Sequence, residues 1–304
     1  MFNLKLNLYF YSYFLDKYVR NLTGHTNWVT SLLVLGNGNM VTSSFFERII
    51  RIWNPNDGQL LLNFTIHTDF VYSLALLENG NVASGSADRT IKIWNLNDGT
   101  VSKVLTVDTM PNAVQALAVL KNGLLASGLA NCKIKIWDIN NGTVVRTLSG
   151  HTQKVWTLAV LQNGNLASGS YDTSVLIWNP YTGVLIRNLT GHINYVNALV
   201  VLQNGHLASG SEDCTIKIWD TNTGVLVRTL IETAHPYYYY ALTVLQNGLL
   251  ASGSYDTKAQ IWNPYTGVIQ GMVNGHKNGV KSLTVLKNGF LVTGSHDSFI
   301  KIWK

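Results

Sequence analysis

The stretch Leu166–Asn179, LASGSYDTSVLIWN, recurs along the chain with small changes. Copies begin at Ala83 (ASGSADRTIKIWN), Ala208 (ASGSEDCTIKIWD) and Val292 (VTGSHDSFIKIWK). The tryptophans that end the copies are 41 or 43 residues apart: Trp53, Trp94, Trp137, Trp178, Trp219, Trp262 and Trp303. A nearly fixed period of this length indicates supersecondary units that stack on one another. The chain therefore contains seven such units.

Each unit has the pattern of four short strands. The first strand is apolar, as in VWTLAVL (Val155–Leu161), and ends in every unit at Asn-Gly, which predicts a two-residue hairpin. The second strand is the LAS segment, and the third alternates β-branched residues with lysine, as in TIKIW. A glycine turn after the tryptophan leads into the fourth strand, as in VLIRNL (Val184–Leu189). We therefore predict an all-β protein.

The Gly-His pair, the central aspartate and the Trp-Asp or Trp-Asn ending resemble the WD-repeat β-propeller family over almost the whole chain. The resemblance implies a seven-bladed propeller of four-stranded antiparallel blades, an arrangement that protects the blade edges. The last unit stops one residue after Trp303, before a fourth strand. The resemblance implies that residues 16–22, in KYVRNLTGH (Lys17–His25), supply that strand and close the ring. We expect a single domain over residues 1–304, with residues 1–15 as an extension of open role.

A histidine, a serine or threonine and an aspartate recur at fixed distances before the tryptophan, like the parts of a hydrolase. A nucleophilic site needs one constellation with an oxyanion hole and a substrate pocket, which repeated copies around a ring do not provide. In the WD-repeat family such residues resemble an internal tetrad, a hydrogen-bonded chain through Asp, His, Ser or Thr and the Trp indole. We therefore predict no enzyme activity. The resemblance assigns tetrads to His67, Ser84, Asp88, Trp94, His151, Ser168, Asp172, Trp178, His192, Ser209, Asp213, Trp219, His235, Ser252, Asp256, Trp262, His276, Thr293, Asp297 and Trp303.

Two units break this pattern. The first keeps His25 and Thr42 but has one extra residue and Glu47 in place of the aspartate. The third has Met110 and Asn131 at the histidine and aspartate positions. We expect these two blades to be held less tightly. We interpret the changes as sequence drift, and an altered loop face is the alternative.

Composition restricts the remaining classes of function. The two cysteines, Cys132 and Cys214, exclude a disulfide framework and suggest a reducing compartment, so we expect a cytoplasmic or nuclear location. The repeated histidines lie about 41 residues apart and the cysteines fall in different units, so neither set predicts a metal site. The N-terminal stretch is too short and too polar to span a bilayer. We predict no cofactor and no membrane span.

The net charge of +6 suggests a nucleic-acid-associated propeller, in RNA processing or on chromatin, as the alternative function. The basic residues, however, recur on the third and fourth strands and so are spread around the circumference. We interpret them as solvated charges at the rim that keep edge strands from pairing.

The resemblance implies that partners bind the face carrying the loops after each fourth strand and between the second and third strands. Its contact positions are the residue before the tetrad aspartate and the third residue after the histidine. Aromatic side chains at such positions favour protein binding, although packing between blades is the alternative. The candidates are Trp28, Phe46, Phe70, Tyr171, Tyr195, Tyr238, Tyr255 and His296. We predict a non-catalytic scaffold that binds a protein or peptide, as a monomer or as a subunit of a larger complex.

Overall fold

The computed structural model describes residues 17–107, 112–232 and 237–304, and every regular element in these ranges is a strand. Strand β1 (Tyr18–Leu22) comes before the first complete blade. Blade 1 consists of β2 (Val29–Val34), β3 (Met40–Ser44), β4 (Ile49–Trp53) and β5 (Leu60–Thr65). Blade 2 consists of β6 (Val71–Leu76), β7 (Val82–Ser86), β8 (Thr90–Trp94) and β9 (Val101–Thr106). Blade 3 consists of β10 (Val114–Val119), β11 (Leu125–Leu129), β12 (Lys133–Asp138) and β13 (Thr143–Ser149).

The second half of the chain repeats the same order of strands. Blade 4 consists of β14 (Val155–Val160), β15 (Leu166–Ser170), β16 (Val175–Trp178) and β17 (Leu185–Leu189). Blade 5 consists of β18 (Val196–Val201), β19 (Leu207–Ser211), β20 (Thr215–Trp219) and β21 (Leu226–Ile231). Blade 6 consists of β22 (Tyr239–Val244), β23 (Leu250–Ser254), β24 (Ala259–Trp262) and β25 (Ile269–Val273). Blade 7 consists of β26 (Val280–Val285), β27 (Leu291–Ser295), β28 (Ile300–Trp303) and β1.

These strands form seven four-stranded antiparallel sheets, so the predicted seven-bladed propeller is confirmed. Within a blade the first strand lies innermost and the fourth lies at the rim. We call the face that carries the loops after each fourth strand and between the second and third strands the upper face. The lower face carries the Asn-Gly turns and the turns after each tryptophan.

The N-terminal strand closes the ring, as the sequence predicts. Strand β1 pairs antiparallel with β28, with Arg20 opposite Ile302 and Leu22 opposite Ile300. Leu22 is buried in an apolar cluster that also contains Val29 and Trp53 of blade 1. The two ends of the described chain are therefore joined both by hydrogen bonds within blade 7 and by packing against blade 1.

The apolar core lies between neighbouring blades. Val175 and Ile177 of blade 4, for example, share a buried cluster with Val196 and Trp219 of blade 5. The glycine of the second strand permits this close approach, because a Cβ built on Gly169 would lie 2.7 Å from the Cγ1 atom of Val196. The packing therefore explains why that position of the repeat is glycine in blades 2 to 7.

The predicted two-residue hairpin is wrong in its detail. In blade 4 the backbone N–H of Leu161 donates to the carbonyl of Asn165 at 2.8 Å, which leaves a three-residue loop. Only Gly164 of the Asn-Gly pair has a positive φ, 86°. Asn163 instead accepts a hydrogen bond from the backbone N–H of Asn165 at 3.0 Å. The turn therefore belongs to the three-residue class with glycine at the left-handed position.

A chain of hydrogen bonds links blades on the lower face. The side chain directly before an Asn-Gly turn donates to the backbone carbonyl of the equivalent residue in the next blade. Gln203 bonds to Gln246 at 3.2 Å, and Gln246 bonds to Lys287 at 3.0 Å. Lys121, Gln162 and Lys287 make the same type of contact, the last to Gly36. Among the described residues these bonds connect neighbouring blades at five of the seven blade interfaces.

The interpretation of the basic residues as solvated rim charges is incomplete, because several basic side chains at the rim also donate hydrogen bonds to neighbouring turns and loops. Arg187 and Lys103, on fourth strands, donate to backbone carbonyls in lower-face turns of the next blade. Arg228 Nη1 donates to the carbonyl of Thr266 at 3.3 Å. Lys301 Nζ, on a third strand, donates to the carbonyl of Gly275 at 2.6 Å. These side chains hold turns and loops in place, which spacing within one repeat does not reveal.

The three described ranges contain no helix of the length and apolar character needed to cross a bilayer.

Candidate functional site

In blade 4 the histidine, the serine and the aspartate are joined as a serine hydrolase would join them. His151 Nδ1 lies 2.8 Å from Asp172 Oδ2, and His151 Nε2 lies 2.7 Å from Ser168 Oγ. Trp178 Nε1, however, donates to the same Ser168 Oγ at 2.9 Å. Ser168 is fully buried, with 0% of its surface exposed. Its hydroxyl is therefore held inside the blade, out of reach of a substrate.

The other predicted tetrads share this arrangement to different degrees. Blades 5 and 7 contain the complete chain from aspartate to tryptophan. In blade 2, His67 contacts both Asp88 and Ser84, at 2.8 and 2.7 Å, but the buried Trp94 Nε1 has no hydrogen-bond partner among the described residues. In blade 6, Trp262 donates to Ser252 at 2.9 Å, while the predicted His235 lies outside the described residues. Asp256 of that blade accepts a hydrogen bond from the Ser254 hydroxyl.

Hydrogen bonds keep the carboxylates of Asp213 and Asp297 ionised. Burial alone would raise the pKa of Asp213. The bonds from His192, the Thr215 hydroxyl and the backbone N–H of Ile193 outweigh this effect and lower the pKa to about 2. Asp297 also has a pKa of about 2, because His276 and the backbone N–H of Lys277 overcome its burial. These aspartates are therefore negatively charged acceptors at neutral pH.

The expectation that blade 1 is held less tightly is wrong. Glu47 Oε2 lies 2.5 Å from His25 Nδ1, and Trp53 Nε1 donates to Thr42 Oγ1 at 2.9 Å. Arg51 adds a 2.7 Å ion pair to Glu47. A complete network therefore forms from different residues.

In blade 3 the hydrogen-bonded chain is short. Trp137 Nε1 donates to Ser127 at 2.8 Å, and Asn131 accepts a backbone N–H, from Lys133 at 3.3 Å. Met110, at the histidine position, lies outside the described residues.

One residue in each innermost strand lines the upper mouth of the central channel. In blade 4, Val155 pairs with Ser170 and Thr157 pairs with Gly169, which leaves Trp156 unpaired in a β-bulge. A β-bulge changes the direction of a side chain from the one that the regular alternation of side chains along the strand would give it. All seven first strands have the same irregularity, and we call the residues at this position the bulge residues: Thr30, Tyr72, Gln115, Trp156, Asn197, Tyr240 and Lys281.

Aromatic rings form a continuous series of contacts around this mouth. Trp28 stacks on His296 with 4.1 Å between ring centroids, and Tyr171 stacks on Tyr195 at 4.1 Å. Tyr72 and Trp156 connect the two stacks across the channel at 6.0 Å. We call this group the aromatic collar, and it comprises Trp28, Phe45, Phe46, Phe70, Tyr72, Trp156, Tyr171, Tyr195, Tyr238, Tyr240, Tyr255 and His296.

All eight candidate residues of the sequence analysis lie in the collar. Phe46, Tyr238 and Tyr255 are 58%, 43% and 51% exposed, so they combine ring contacts with free surface. Sequence reasoning missed Phe45 and the aromatic bulge residues Tyr72, Trp156 and Tyr240. A fixed offset of five residues after the histidine position identifies the bulge residues, and this signal could have found them.

The collar surrounds an opening of about 490 Å³ above a second cavity of about 210 Å³ inside the channel. The charged groups that line the opening are Lys154, Lys281 and Glu212. Lys281 Nζ lies 4.0 Å from the centroid of the Tyr240 ring, and Lys154 Nζ lies 4.5 Å from that of Tyr171. The opening therefore offers aromatic surface and cationic groups together. Over the ranges that the structure describes, no cluster of three or more His, Cys, Asp or Glu side chains is placed to hold a metal ion.

Comparison with known proteins agrees with this architecture. The family model for the WD domain, G-beta repeat, matches residues 16–54, 58–95, 142–179, 183–220 and 267–304. The first match contains the closing strand, and the two repeats without a match are the two of 43 residues. No curated protein matches the chain. With five matched repeats, seven four-stranded blades and the repeated tetrads, the chain belongs to the WD-repeat family, whose propellers are generally scaffolds for protein interaction.

Proposed function

We propose that this protein is a non-catalytic scaffold that binds a protein or peptide partner at the aromatic collar. The observation that carries this proposal is the collar itself, which presents partly exposed rings around an opening of about 490 Å³. Tyrosine and tryptophan supply large contact areas while losing little conformational freedom on binding. The rings already pack against one another, so binding requires little further ordering. We place the scaffold in the cytoplasm or the nucleus.

The tetrad geometry supports the non-catalytic part of the proposal. The hydroxyl groups of Ser168 and its equivalents are buried and bonded within their blades. A nucleophile must reach the reacting carbon and lie near an oxyanion hole, and a buried hydroxyl meets neither requirement. The tetrads contribute to holding the blades that contain them together, and the collar remains as the surface available to a partner.

The nucleic-acid alternative has less support. Arg187, Arg228 and Lys103 hold turns of neighbouring blades around the circumference and do not form one basic surface. Retention on a nucleic acid column that falls steeply with salt concentration would favour this alternative over the scaffold.

The test is a selection from a random peptide display library on the immobilised full-length protein. We expect peptides that bind the wild type and fail to bind Trp156→Ala/Tyr240→Ala. The matched control is Tyr181→Ala/Tyr265→Ala, which removes two exposed tyrosines from lower-face turns and should leave binding intact. Thermal melting checks that all proteins are folded. Peptides that bind every variant equally, or no enriched peptides at all, would show that the collar is not the binding surface.

A further inference from the structure

Two lysines bring positive charge into the opening from different blades. Lys281 is the bulge residue of blade 7, and its Nζ lies 5.4 Å from the ring centroid of Trp156. Lys154 belongs to the loop before β14, and its Nζ lies 5.9 Å from the same ring. The two ammonium groups thus lie near one tryptophan ring and line the same opening.

Neither ammonium group has an oxygen partner among the described residues. Both contact only aromatic rings. Lysines elsewhere in the propeller donate to oxygen atoms of neighbouring turns, loops or strands: Lys92, Lys103, Lys121, Lys217, Lys287 and Lys301. An ammonium group has three donor hydrogens, and a face of an aromatic ring satisfies them only in part. The opening therefore has unused hydrogen-bond donors.

The charges in the opening do not balance. Burial lowers the pKa of Lys281 to about 8, and the nearby Glu212 carboxylate offsets only part of that effect. Burial, with a smaller contribution from the Lys281 charge, lowers the pKa of His296 to about 4, so its imidazole is neutral at pH 7. Two lysines against one glutamate leave the opening with one net positive charge at pH 7. A bound group with one negative charge would complete the balance.

A carboxylate fits these donors better than a phosphate does. It carries one negative charge and has two oxygens, one for each ammonium group. A phosphorylated side chain carries up to two charges and is bound most selectively by the planar fork of arginine. No arginine lines the opening in the described part of the chain. The surrounding rings provide apolar contact for a residue beside the carboxylate.

Resting on the scaffold function proposed above, we infer that the opening binds a peptide segment in which an aspartate or glutamate adjoins an aromatic or branched aliphatic residue. The carboxylate lies between the ammonium groups of Lys281 and Lys154, and the apolar neighbour packs on the collar. The acidic residue thereby determines which segment of a partner is selected, and the rings supply most of the contact area.

The first experiment compares display selections of random 12-residue peptides on the wild type and on Lys154→Met/Lys281→Met. The wild type should enrich an acidic residue beside an aromatic or aliphatic one, and the variant should lose that acidic preference. Binders without an acidic preference on the wild type would overturn this inference and leave the scaffold function standing. A selection that yields no collar-dependent binder would instead contradict the scaffold function itself.

The second experiment titrates the best selected peptide against its own Glu→Gln (or Asp→Asn) form. The change should weaken binding to the wild type by about tenfold or more, because a charge-assisted hydrogen bond is lost. It should weaken binding to Lys281→Met by much less. Lys277→Met is the matched control, since Lys277 is an exposed lysine of the upper face that does not line the opening, and it should behave as the wild type. Lys154→Met provides a second route if Lys281→Met does not fold. An equal loss in all proteins, or tighter binding of the phosphoserine form, would refute the carboxylate assignment.

Discussion

At the scale of single residues, one tryptophan differs from its equivalents. Trp178 donates its indole N–H to Ser168, whereas the buried Trp94 N–H meets no acceptor in the described part of the chain. Phe64 lies against Trp94 with 5.8 Å between ring centroids, at a position of the fourth strand that is leucine or valine in the other blades. The larger ring of Phe64 thus packs on the tryptophan of blade 2, whose tetrad lacks the hydrogen bond from the indole and is otherwise regular.

This difference predicts unequal effects of the same substitution. Trp178→Phe should lower the free energy of unfolding by about 1 kcal/mol more than Trp94→Phe, because only the former removes a hydrogen bond. Both substitutions remove a similar apolar area. The loss of packing is therefore similar in the two variants, and the difference between them reports the hydrogen bond. Urea unfolding followed by circular dichroism measures the difference, and equal losses would show that the tetrad bond contributes no net stability.

The tetrad aspartates predict how acid destabilises the protein. A carboxyl group whose pKa is about 2 in the folded chain and about 3.9 in the unfolded chain stabilises the fold above the higher value. That stability is lost as the pH falls through the lower value. We expect Asp213 to account for a loss on the order of 2 kcal/mol between about pH 4 and pH 2.

Urea unfolding at a series of pH values tests this expectation. Asp213→Asn should be less stable than the wild type at pH 7 and should show a shallower decline below about pH 4. Asp57→Asn, at an exposed lower-face turn, is the control and should follow the wild type. A decline of unchanged steepness in Asp213→Asn would contradict the role of this carboxylate.

At the scale of strands and turns, the lower-face hydrogen bonds are incomplete. The donor chain from Lys121 through Gln162, Gln203 and Gln246 to Lys287 ends at the carbonyl of Gly36. Gly36 has no side chain to continue it, and the carboxylate of Glu78 in the next blade cannot donate. Blade 1 and blade 2 therefore lack a bond that the other blades possess.

The gap predicts a stabilising pair of substitutions. Gly36→Gln and Glu78→Gln together should raise the free energy of unfolding by about 1 kcal/mol or more, since each new amide can bond to the next carbonyl. A Cβ at Gly36 would meet no atom within 4 Å. The matched control is Gln203→Ala, which breaks an existing bond and should destabilise. Melting temperatures that change in neither direction would show that these bonds are neutral.

At the scale of the whole molecule, closure depends on β1. This strand supplies the rim of blade 7, and its Leu22 side chain completes the core between blades 7 and 1. Without it, β28 would present a row of unpaired backbone groups, which is a template for association with other chains.

Removal of residues 1–22 should therefore lower the melting temperature and cause aggregation. A chain that starts at Lys17 is the matched control, because it keeps the whole of β1. Light scattering and thermal melting compare the two. If the shorter chain stays monomeric and melts like the control, the closing strand does not stabilise the ring.

The blade count, the strand order and the closing strand could be predicted because each depends on a period within the sequence. The tryptophan spacing and the Asn-Gly turns are local and repeat seven times. The stretch KYVRNLTGH (Lys17–His25) matches the fourth strand LIRNLTGH (Leu185–His192), and the family resemblance implies that it makes the closing contact.

Contacts between repeats could not be predicted in the same way. The bond from Gln203 to Gln246 joins equivalent positions of different blades, and it depends on side-chain reach. The bulge at Trp156 changes the direction of a side chain without changing the strand pattern. Glu47 stands at the aspartate position and bonds to His25 there, so the residue pattern alone predicts a loss that the geometry does not show.

Because of the β-bulge, the residues that line the mouth of the channel do not take part in the cross-strand pairing of their sheets. A residue such as Trp156 has no cross-strand partner, whereas Val155 and Thr157 on either side maintain the register. Exchanging one such residue for another alters the lining of the mouth and leaves the pairing of the sheet untouched. The seven bulge residues can therefore change while the strand pairing of the propeller stays the same, so new binding specificities can evolve at the mouth without a new fold.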